Sequence, residues 1–533
     1  MTSFVSQFVR NVSKELTLPD EVLFFDTTMR DGEQTPGVSF TINEKKIIAE
    51  QLAKLGVDVI EAGMAIVSRG EEEAIREIVK LGLDCEICSL ARTNLKEVDL
   101  ALDCGVNRVH IFIATSDLHM KEKLRMTREQ VLSSAVETVG YAKEHGLKVE
   151  FSAEDATRSD LDFLKEVYRE VVKAGADVIN IPDTVGCATP RAYAYLVKEL
   201  SGVVNSDTII SAHTHDDFGL SVANSLAAIE VGAKQVHVTV NGIGERAGNA
   251  SLEEVAMALV ALYGFKTNIK TEYIFETSKL IENLSGIKIP PNKAIIGENA
   301  FRHESGIHAH AVLQDPRTYE PFSPGLIGRK RSKEEISLSS IAIGKHTGKH
   351  SLKAKLDSYG YIYSNEQLEE ILKRIKKLGD KGKSVTDIEL QAIADDIVGR
   401  VSEEDQFLKL KELVVITGLN ITPTATVRIN VGGEEKLVSD LGVGPIDAAC
   451  NALQKAVKAF GEMSLVEYNL EAITGGTDAL GFVTVKVKDK KDRLYTARAA
   501  NEDIVSASVQ ALINAVNRML ASNKNHNRMN KNA

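Results

Sequence analysis

The chain has 533 residues, which is too long for one hydrophobic core, so we expect two or three domains. Its 43% hydrophobic and 26% charged residues are typical of a globular protein, and its net charge of -11 disfavours a nucleic-acid partner. No apolar run could span a bilayer, and residues 1–17 lack a signal-peptide core, so we predict a cytoplasmic protein without a membrane partner.

Short apolar strands alternate with amphipathic helices in the first half of the chain. Glycine follows several of the helices, as Gly56 does, and is the usual left-handed helix stop. Repeated β–α units of about thirty residues predict a (β/α)8 barrel, with a doubly wound open sheet as the alternative. We place an N-terminal extension at 1–20 and the barrel at 21–290. The predicted strands are 22–26, 57–61, 85–90, 108–113, 148–152, 177–181, 208–213 and 235–240.

Polar side chains are concentrated where these strands end. The carboxyl ends of the strands carry the chemistry in barrels of this kind. Buried polar groups cost free energy unless they are paired, so packing alone does not explain their presence at one rim, and we predict an enzyme active site there. The polar segments are 26–31, Glu61, 152–155, 183–184, 213–217 and 241–246.

His213 and His215 stand one residue apart at the end of the seventh strand. Side chains two positions apart on a strand face the same way, so both imidazoles should converge on one point. Asp31 adds a carboxylate from the first strand, and the first and seventh strands both adjoin the eighth in a closed barrel. This mixed set suits a divalent metal, whereas the alternative is a strand with two hydrogen-bonded polar residues.

Two other patterns are discounted. The glycine-rich loop 241–249 resembles a nucleotide-binding fingerprint, but its glycines have the wrong spacing and it follows the last barrel strand. Cys85 and Cys88 form a C-x-x-C pattern in a predicted strand, where they would face opposite ways. We interpret them as core residues and not as a redox pair, since no helix start follows to activate a thiolate.

Three segments resemble the signatures of the family of α-isopropylmalate, citramalate and homocitrate synthases. The segments are 25–37 (FDTTMRDGEQTPG), 213–220 (HTHDDFGL) and 241–249 (NGIGERAGN). The similarity extends over about 23–520, with Met29 where the family usually has leucine and Asp216 where it often has asparagine. The resemblance implies an acyltransferase that condenses acetyl-CoA with a 2-oxo acid and then hydrolyses the thioester.

The resemblance also implies roles for single residues. A divalent metal (Zn, Mn, Co or Mg) would be held by Asp31, His213, His215 and Asn249. The implied catalytic residues are Arg30, Glu154, His308 and Tyr319, and the implied substrate-binding residues are Arg30, His110, Ser152 and Thr184. Because His308 follows the barrel, we expect it to act as the base in the active site of a neighbouring subunit of a homodimer or higher oligomer. A surface helix or a second metal site is the alternative for this histidine-rich segment.

The last third of the chain changes pattern. A mostly helical linker is predicted at 291–405, followed by two copies of strand, strand, strand, helix at 406–522. The resemblance implies a regulatory α+β domain that binds an amino-acid effector through Gly475 and Asp478, and a dimerisation domain is the alternative. The polar tail 523–533 is predicted to be disordered.

The branch of the family is less sharply indicated. Residues 112–120 and the C-terminal domain are most similar to the isopropylmalate branch, which uses 3-methyl-2-oxobutanoate and leucine as effector. Residues 61–68 lean toward the citramalate branch, which uses pyruvate and isoleucine, and homocitrate synthase ranks third. A catalytically inactive amino-acid sensor is the non-enzyme alternative, which the presence of the metal and base residues disfavours.

Overall fold

The computed structural model describes residues 4–303, 305–329, 347–359, 361, 363–380, 385–398, 407–458, 463–472, 481–490, 493–501 and 503–529. They form two compact units. The first consists of Met1–Phe301 with Glu320–Arg331, and the second of Arg302–Tyr319 with Ser332–Ala533.

The first unit contains a closed barrel of eight parallel strands, which confirms the predicted fold class and excludes the open sheet. The barrel closes because β1 pairs with both β2 and β8. Most strands end one or two residues later than predicted, so that Glu154 and Asp183 are the last residues of their strands. The strands are β1 (Leu23–Asp26), β2 (Val59–Gly63), β3 (Glu86–Arg92), β4 (Arg108–Ala114), β5 (Lys148–Glu154), β6 (Val178–Asp183), β7 (Ile209–Thr214) and β8 (Gln235–Val238).

Helices surround this barrel, and local sequence explains where they begin and end. In α2, Thr41 accepts a hydrogen bond from the backbone of Glu44, whose side chain in turn accepts from Thr41, which is a capping box. The same helix ends at Gly56 with φ 94°, where a Cβ would lie 2.1 Å from the carbonyl oxygen of Asn268. The helices are α1 (Gln7–Val12), α2 (Ile42–Leu55), α3 (Arg69–Lys80), α4 (Leu95–Cys104), α5 (Asp117–His119), α6 (Arg128–Glu144), α7 (Leu161–Lys173), α8 (Pro190–Ser201), α9 (Ser221–Glu230), α10 (Leu252–Met257) and α11 (Ile274–Ser285).

The main hydrophobic core lies between the strands and these helices. Alternate strand residues point outward into it, for example Val109 and Ile111 of β4 and Val149 and Phe151 of β5. The intervening residues of the same strands therefore face the barrel interior. Among the helices of the described residues, none is long and apolar enough to cross a membrane.

The described part of the second unit begins with four helices, of which the last three share a small apolar core that includes Leu356, Ile371 and Ile393. Its helices are α12 (Gly306–Gln314), α13 (Lys349–Ser358), α14 (Asn365–Asp380) and α15 (Asp387–Val398). The last of them packs against a strand of the following domain, where Asn514 also hydrogen-bonds Asp396.

Two antiparallel three-stranded sheets follow, each succeeded by a helix, which confirms the predicted repeat. The helices pack against both sheets in one apolar core. The last helix continues to Met529, into the segment predicted to be a disordered tail, because no glycine or proline interrupts it. The elements are β9 (Leu408–Gly418), β10 (Ile421–Val431), β11 (Glu434–Leu441), α16 (Pro445–Val457), β12 (Met463–Ala472), β13 (Gly481–Asp489), β14 (Leu494–Asn501) and α17 (Ile504–Met529).

Candidate active site

The strand register brings predicted site residues to the interior of the barrel. His110 of β4 lies between two residues of the outer core, so its side chain faces inward. Ser152 and Glu154 of β5 are two residues apart and share this face. They line a cavity of about 290 Å³ at the carboxyl ends of the strands.

Eight predicted site residues line this one cavity. They are Arg30, Asp31, His110, Ser152, Glu154, Thr184, His213 and His215. The other residues of the cavity wall had not been assigned individual site roles from the sequence. They are Gln34, Met64, Leu90, Phe112, Lys123, Asn180, Pro182, Glu245 and Arg246. The polar residue Asn180, which stands between two isoleucines within its strand, was a signal that could have been used.

Asp31, His213 and His215 form a buried group whose potential ligand atoms all lie within 4.8 Å of one another. Asp31 Oδ2 is 3.6 Å from His213 Nε2 and 3.8 Å from His215 Nε2. The two Nε2 atoms are 3.1 Å apart. The imidazoles therefore converge on one point, as the spacing predicted.

Asn249 lies beside this group. Its Nδ2 donates to Asp31 Oδ1 at 3.2 Å and to the carbonyl oxygen of Ile243 at 3.3 Å. Its Oδ1 is buried and accepts no hydrogen bond from any of the described residues. A β-bridge pairs its backbone with His215, and Gly244 must be glycine because a Cβ there would lie 2.2 Å from Asn249 Nδ2. Two imidazole nitrogens, a carboxylate and a free amide oxygen fit a divalent metal.

The protonation states of this group suit metal binding. Burial lowers the pKa of His213 well below its usual value, and it also lowers the pKa of His215. Burial alone would raise the pKa of Asp31, but the positive charge of the neighbouring Arg30 outweighs it, and the pKa is lowered to about 2. Neutral imidazoles beside an ionised carboxylate are the forms in which these side chains bind metals.

Arg30 joins the group to a second buried carboxylate. Its Nη1 donates to Asp31 Oδ2 at 2.7 Å and its Nε to Glu61 Oε2 at 2.6 Å. Burial raises the pKa of Glu61, but Arg30 and His110 outweigh it and keep this pKa well below its usual range. The guanidinium group is thereby fixed next to the carboxylate of the metal-binding group.

A chain of hydrogen bonds continues across the cavity floor from Glu61. His110 Nδ1 is 2.7 Å from Glu61 Oε1, and its Nε2 is 2.6 Å from Ser152 Oγ. Ser152 Oγ also accepts from Asn180 Nδ2 at 2.8 Å. Each side chain in this chain holds the next, so His110 and Ser152 have fixed orientations.

Glu154 and Thr184 lie nearer the mouth of the cavity. Both oxygens of Glu154 accept from Lys123 Nζ, at 2.6 and 2.9 Å. Thr184 Oγ1 accepts from the backbone N–H of Asp155 at 2.9 Å. Glu154 is thus held by Lys123, which the sequence had not assigned to the site, and Thr184 is held by Asp155 of the predicted polar segment 152–155.

A second layer of polar residues fills the barrel beneath the cavity. Glu150 Oε1 is 2.8 Å from His237 Nε2, and Glu150 Oε2 accepts from Arg108 Nη1 at 3.1 Å. The His237 ring stacks on Phe25 at 3.9 Å and lies edge-on to the His213 ring at 5.3 Å. These residues alternate with apolar ones along β4, β5 and β8, which is a pattern that could have revealed them.

The remaining predicted residues lie elsewhere in the chain. His308 and Tyr319 belong to the second unit, where their exposed rings are 4.2 Å apart. The structure thus brings these two together. The predicted effector residues Gly475 and Asp478 lie outside the described residues.

Comparison with known proteins decides the family. Residues 21–281 match the HMGL-like family, 295–383 the homocitrate synthase post-HMGL domain-like family, and 384–520 the LeuA allosteric (dimerisation) domain. A 2-isopropylmalate synthase from Methanocaldococcus jannaschii is 52% identical over 97% of this chain and 98% of its own length. The chain belongs to the family of 2-isopropylmalate, citramalate and homocitrate synthases.

Further relatives include both of the leading branches. A probable 2-isopropylmalate synthase from Methanopyrus kandleri is 54% identical over 94% of this chain and 99% of its own. An (R)-citramalate synthase from M. jannaschii is 49% identical over 94% of this chain and 99% of its own length. The synthase is thus an acyltransferase of a family that uses a divalent metal and acetyl-CoA, which confirms the predicted enzyme class.

Proposed function

We propose that this synthase condenses acetyl-CoA with 3-methyl-2-oxobutanoate and hydrolyses the thioester to give 2-isopropylmalate, the first committed step of leucine synthesis. The lining of the cavity carries the proposal. Met64, Leu90, Phe112 and Pro182 supply apolar surface beside the metal-binding group, and a branched alkyl chain needs such surface. The cavity of about 290 Å³ is of a size suited to a small oxo acid.

The chain's residues divide the chemistry as follows. When bound, the divalent metal polarises the keto group of the oxo acid. Arg30, fixed beside Asp31, stabilises the negative charge that grows on the former keto oxygen. Thr184 binds the carboxylate of the oxo acid. Glu154, held by Lys123, takes part in proton transfer when the thioester is hydrolysed.

A base must remove a proton from the methyl group of acetyl-CoA. We assign this role to His308, with Tyr319 beside it. The carbon that loses the proton then attacks the keto carbon of the oxo acid. We further propose a homodimer in which His308 serves the barrel of the partner subunit, in line with the match to a dimerisation domain.

The C-terminal domain is proposed to bind leucine as a feedback inhibitor, with Gly475 and Asp478 in the binding loop. The supporting observation is a repeated βββα unit in which the described residues include no metal-binding cluster of the kind found in the barrel. The match to an allosteric domain also supports it.

One assay tests the substrate. Thiol release from acetyl-CoA is followed with 3-methyl-2-oxobutanoate, pyruvate and 2-oxoglutarate in turn, in the presence of Zn²⁺, Mn²⁺, Co²⁺ or Mg²⁺. We expect the highest kcat/KM with 3-methyl-2-oxobutanoate, by about 10- to 200-fold over pyruvate, because the two differ by buried methyl groups. A preference for pyruvate would contradict the proposal.

Citramalate synthesis from pyruvate is the second candidate. Residues 61–68, which lean toward the citramalate branch, include Met64 of the cavity lining. The (R)-citramalate synthase named above is nearly as similar as the isopropylmalate synthases. In that case isoleucine becomes the expected inhibitor.

A further inference from the structure

Three loops of the barrel rim meet at the guanidinium group of Arg246. Its Nε donates to Asp217 Oδ1 at 2.8 Å, and its Nη2 donates to Asp217 Oδ2 at 2.9 Å. The same Nη2 donates to the carbonyl oxygen of Thr184 at 2.8 Å. These residues belong to the loops that follow β8, β7 and β6, so one side chain connects all three.

Each connected loop carries a residue of the candidate site. Thr184 itself lines the cavity, Asp217 stands two residues after His215, and Asn249 stands three residues after Arg246. The Thr184 hydroxyl also accepts from the backbone of Asp155, in the loop after β5. Thr184 is thus held at its carbonyl oxygen by Arg246 and at its hydroxyl by Asp155.

The backbone of Arg246 adds an independent observation. Its φ is 55°, in the left-handed region that residues with a Cβ rarely adopt. Such a conformation persists only where surrounding contacts enforce it, and it is concentrated at functional sites. Here the paired hydrogen bonds from Arg246 to the Asp217 carboxylate (the fork) and the hydrogen bond to the Thr184 carbonyl oxygen supply those contacts.

We propose that Arg246 is a positioning residue, which places the Thr184 hydroxyl for the carboxylate of the 2-oxo acid. The proposal rests on the substrate-binding role assigned to Thr184 above. A planar guanidinium group donates to both carboxylate oxygens and to a third acceptor at once, which an ammonium group on a flexible chain does not reproduce. The role therefore requires arginine and not merely a positive charge.

The alternative is direct contact between Arg246 and the substrate, since Arg246 also lines the cavity. A double-mutant cycle separates the two. If Arg246 acts through Thr184, its replacement should change kcat/KM little in a variant that already lacks the Thr184 hydroxyl. If it contacts the substrate itself, the two losses should be independent and their effects should multiply.

The experiment compares Arg246→Gln, Arg246→Lys, Thr184→Val and the Arg246→Gln/Thr184→Val double variant in the full-length enzyme. We expect Arg246→Gln to lower kcat/KM for the 2-oxo acid about 10- to 100-fold, mainly through KM, with Arg246→Lys nearly as low. In the Thr184→Val background the same change should cost less than about threefold. The affinity for Mn²⁺ without substrates and the melting temperature should stay close to those of the wild type.

Arg128 provides a matched control. It forms a similar fork to Asp117, with Nη2 2.9 Å from each carboxylate oxygen, and its side chain is 41% exposed against 40% for Arg246. Arg128→Lys should leave kcat/KM unchanged. Multiplying losses in the double variant, or a fall in Mn²⁺ affinity as large as that in oxo-acid affinity, would overturn the proposal.

A failure of the Arg246 proposal can be distinguished from a failure of the proposed function. If the wild type prefers pyruvate, the cycle is measured with pyruvate and the inference on Arg246 is tested unchanged. If the wild type turns over no oxo acid, the proposed function fails. Calorimetric binding of 3-methyl-2-oxobutanoate to the Mn²⁺-loaded variants then still tests Arg246, and equal binding by the wild type and Arg246→Gln would refute its role.

Discussion

Two layers of polar side chains fill the barrel, one beneath the other, and they differ in how their groups are paired. In the lower layer the opposite charges of Arg108 and Glu150 meet, and Glu150 also contacts His237. In the upper layer the Nε2 atoms of His213 and His215 face each other at 3.1 Å. Two neutral imidazoles can share one hydrogen at that distance, whereas both Nε2 lone pairs are available to a metal when each ring carries its hydrogen on Nδ1.

The comparison shows that burial of polar groups does not by itself mark a functional site. The lower layer is buried and charged, and its pairing is that of a structural network. The upper layer leaves ligand atoms converging on one point, together with the buried Asn249 Oδ1. Arg108 Nε and His237 Nδ1 of the lower layer are also buried without a hydrogen bond to the described residues, so unpaired atoms alone do not separate the layers. What separates them, within the part of the chain that the structure describes, is the convergence of ligand atoms from Asp31, His213 and His215 on one point.

Removing both imidazoles of the upper layer should have the largest effect. We expect the His213→Ala/His215→Ala double variant to lose Mn²⁺ and Zn²⁺ binding and at least about 1,000-fold in kcat, because the metal polarises the reacting carbonyl. Calorimetry and the thiol-release assay measure both. Full activity of this variant, or full activity of the wild type after exhaustive chelation, would mean that the upper layer is structural as well.

The upper layer is also proposed to need a base from a second subunit. His308→Ala and Asp31→Ala subunits should each be inactive, whereas a random mixture of them should regain about a quarter of wild-type activity, because half of the dimers then hold one intact site of two. Subunit exchange is verified by mass spectrometry of differently labelled chains. No recovery after verified exchange would place the base within the same chain.

The lower layer should respond in stability and not in metal affinity. Glu150→Gln removes the negative charge that pairs with Arg108 and one of the two oxygens that contact Arg108 and His237, and we expect it to lower the free energy of unfolding by about 3–5 kcal/mol. Asp31→Asn in the metal-free protein should cost less, because Arg30 keeps its contact to Glu61. Urea denaturation measures both, and a larger loss for Asp31→Asn would remove the distinction between the layers.

The smallest effect on uninhibited turnover is expected from a change in the C-terminal domain. Asp478→Ala should weaken inhibition by leucine about 5- to 150-fold, the range that a coupling free energy of about 1–3 kcal/mol produces. Turnover without inhibitor should remain near that of the wild type. Calorimetry that detects neither leucine nor isoleucine binding to the intact enzyme would leave the C-terminal domain without an effector.

The sequence by itself determined the features that depend on local periodicity. Alternating strands and helices predicted the barrel, and the two-residue period predicted that His213 and His215 share a face. The repeated βββα unit was also readable, since each copy lies within about sixty consecutive residues. Local backbone geometry fixes these patterns, so they need no knowledge of distant parts of the chain.

Only the tertiary structure decided which distant groups are paired. Asn249 hydrogen-bonds Asp31, which is 218 residues away in the sequence, and Glu61 contacts His110, which is 49 residues away. The fork from Arg246 to Asp217 and the neutralised lower layer likewise depend on closure of the barrel. Strand spacing predicts which side chains face inward, but only the three-dimensional packing sets which of them meet within hydrogen-bonding distance, and that distance separates a structural pair from a binding site.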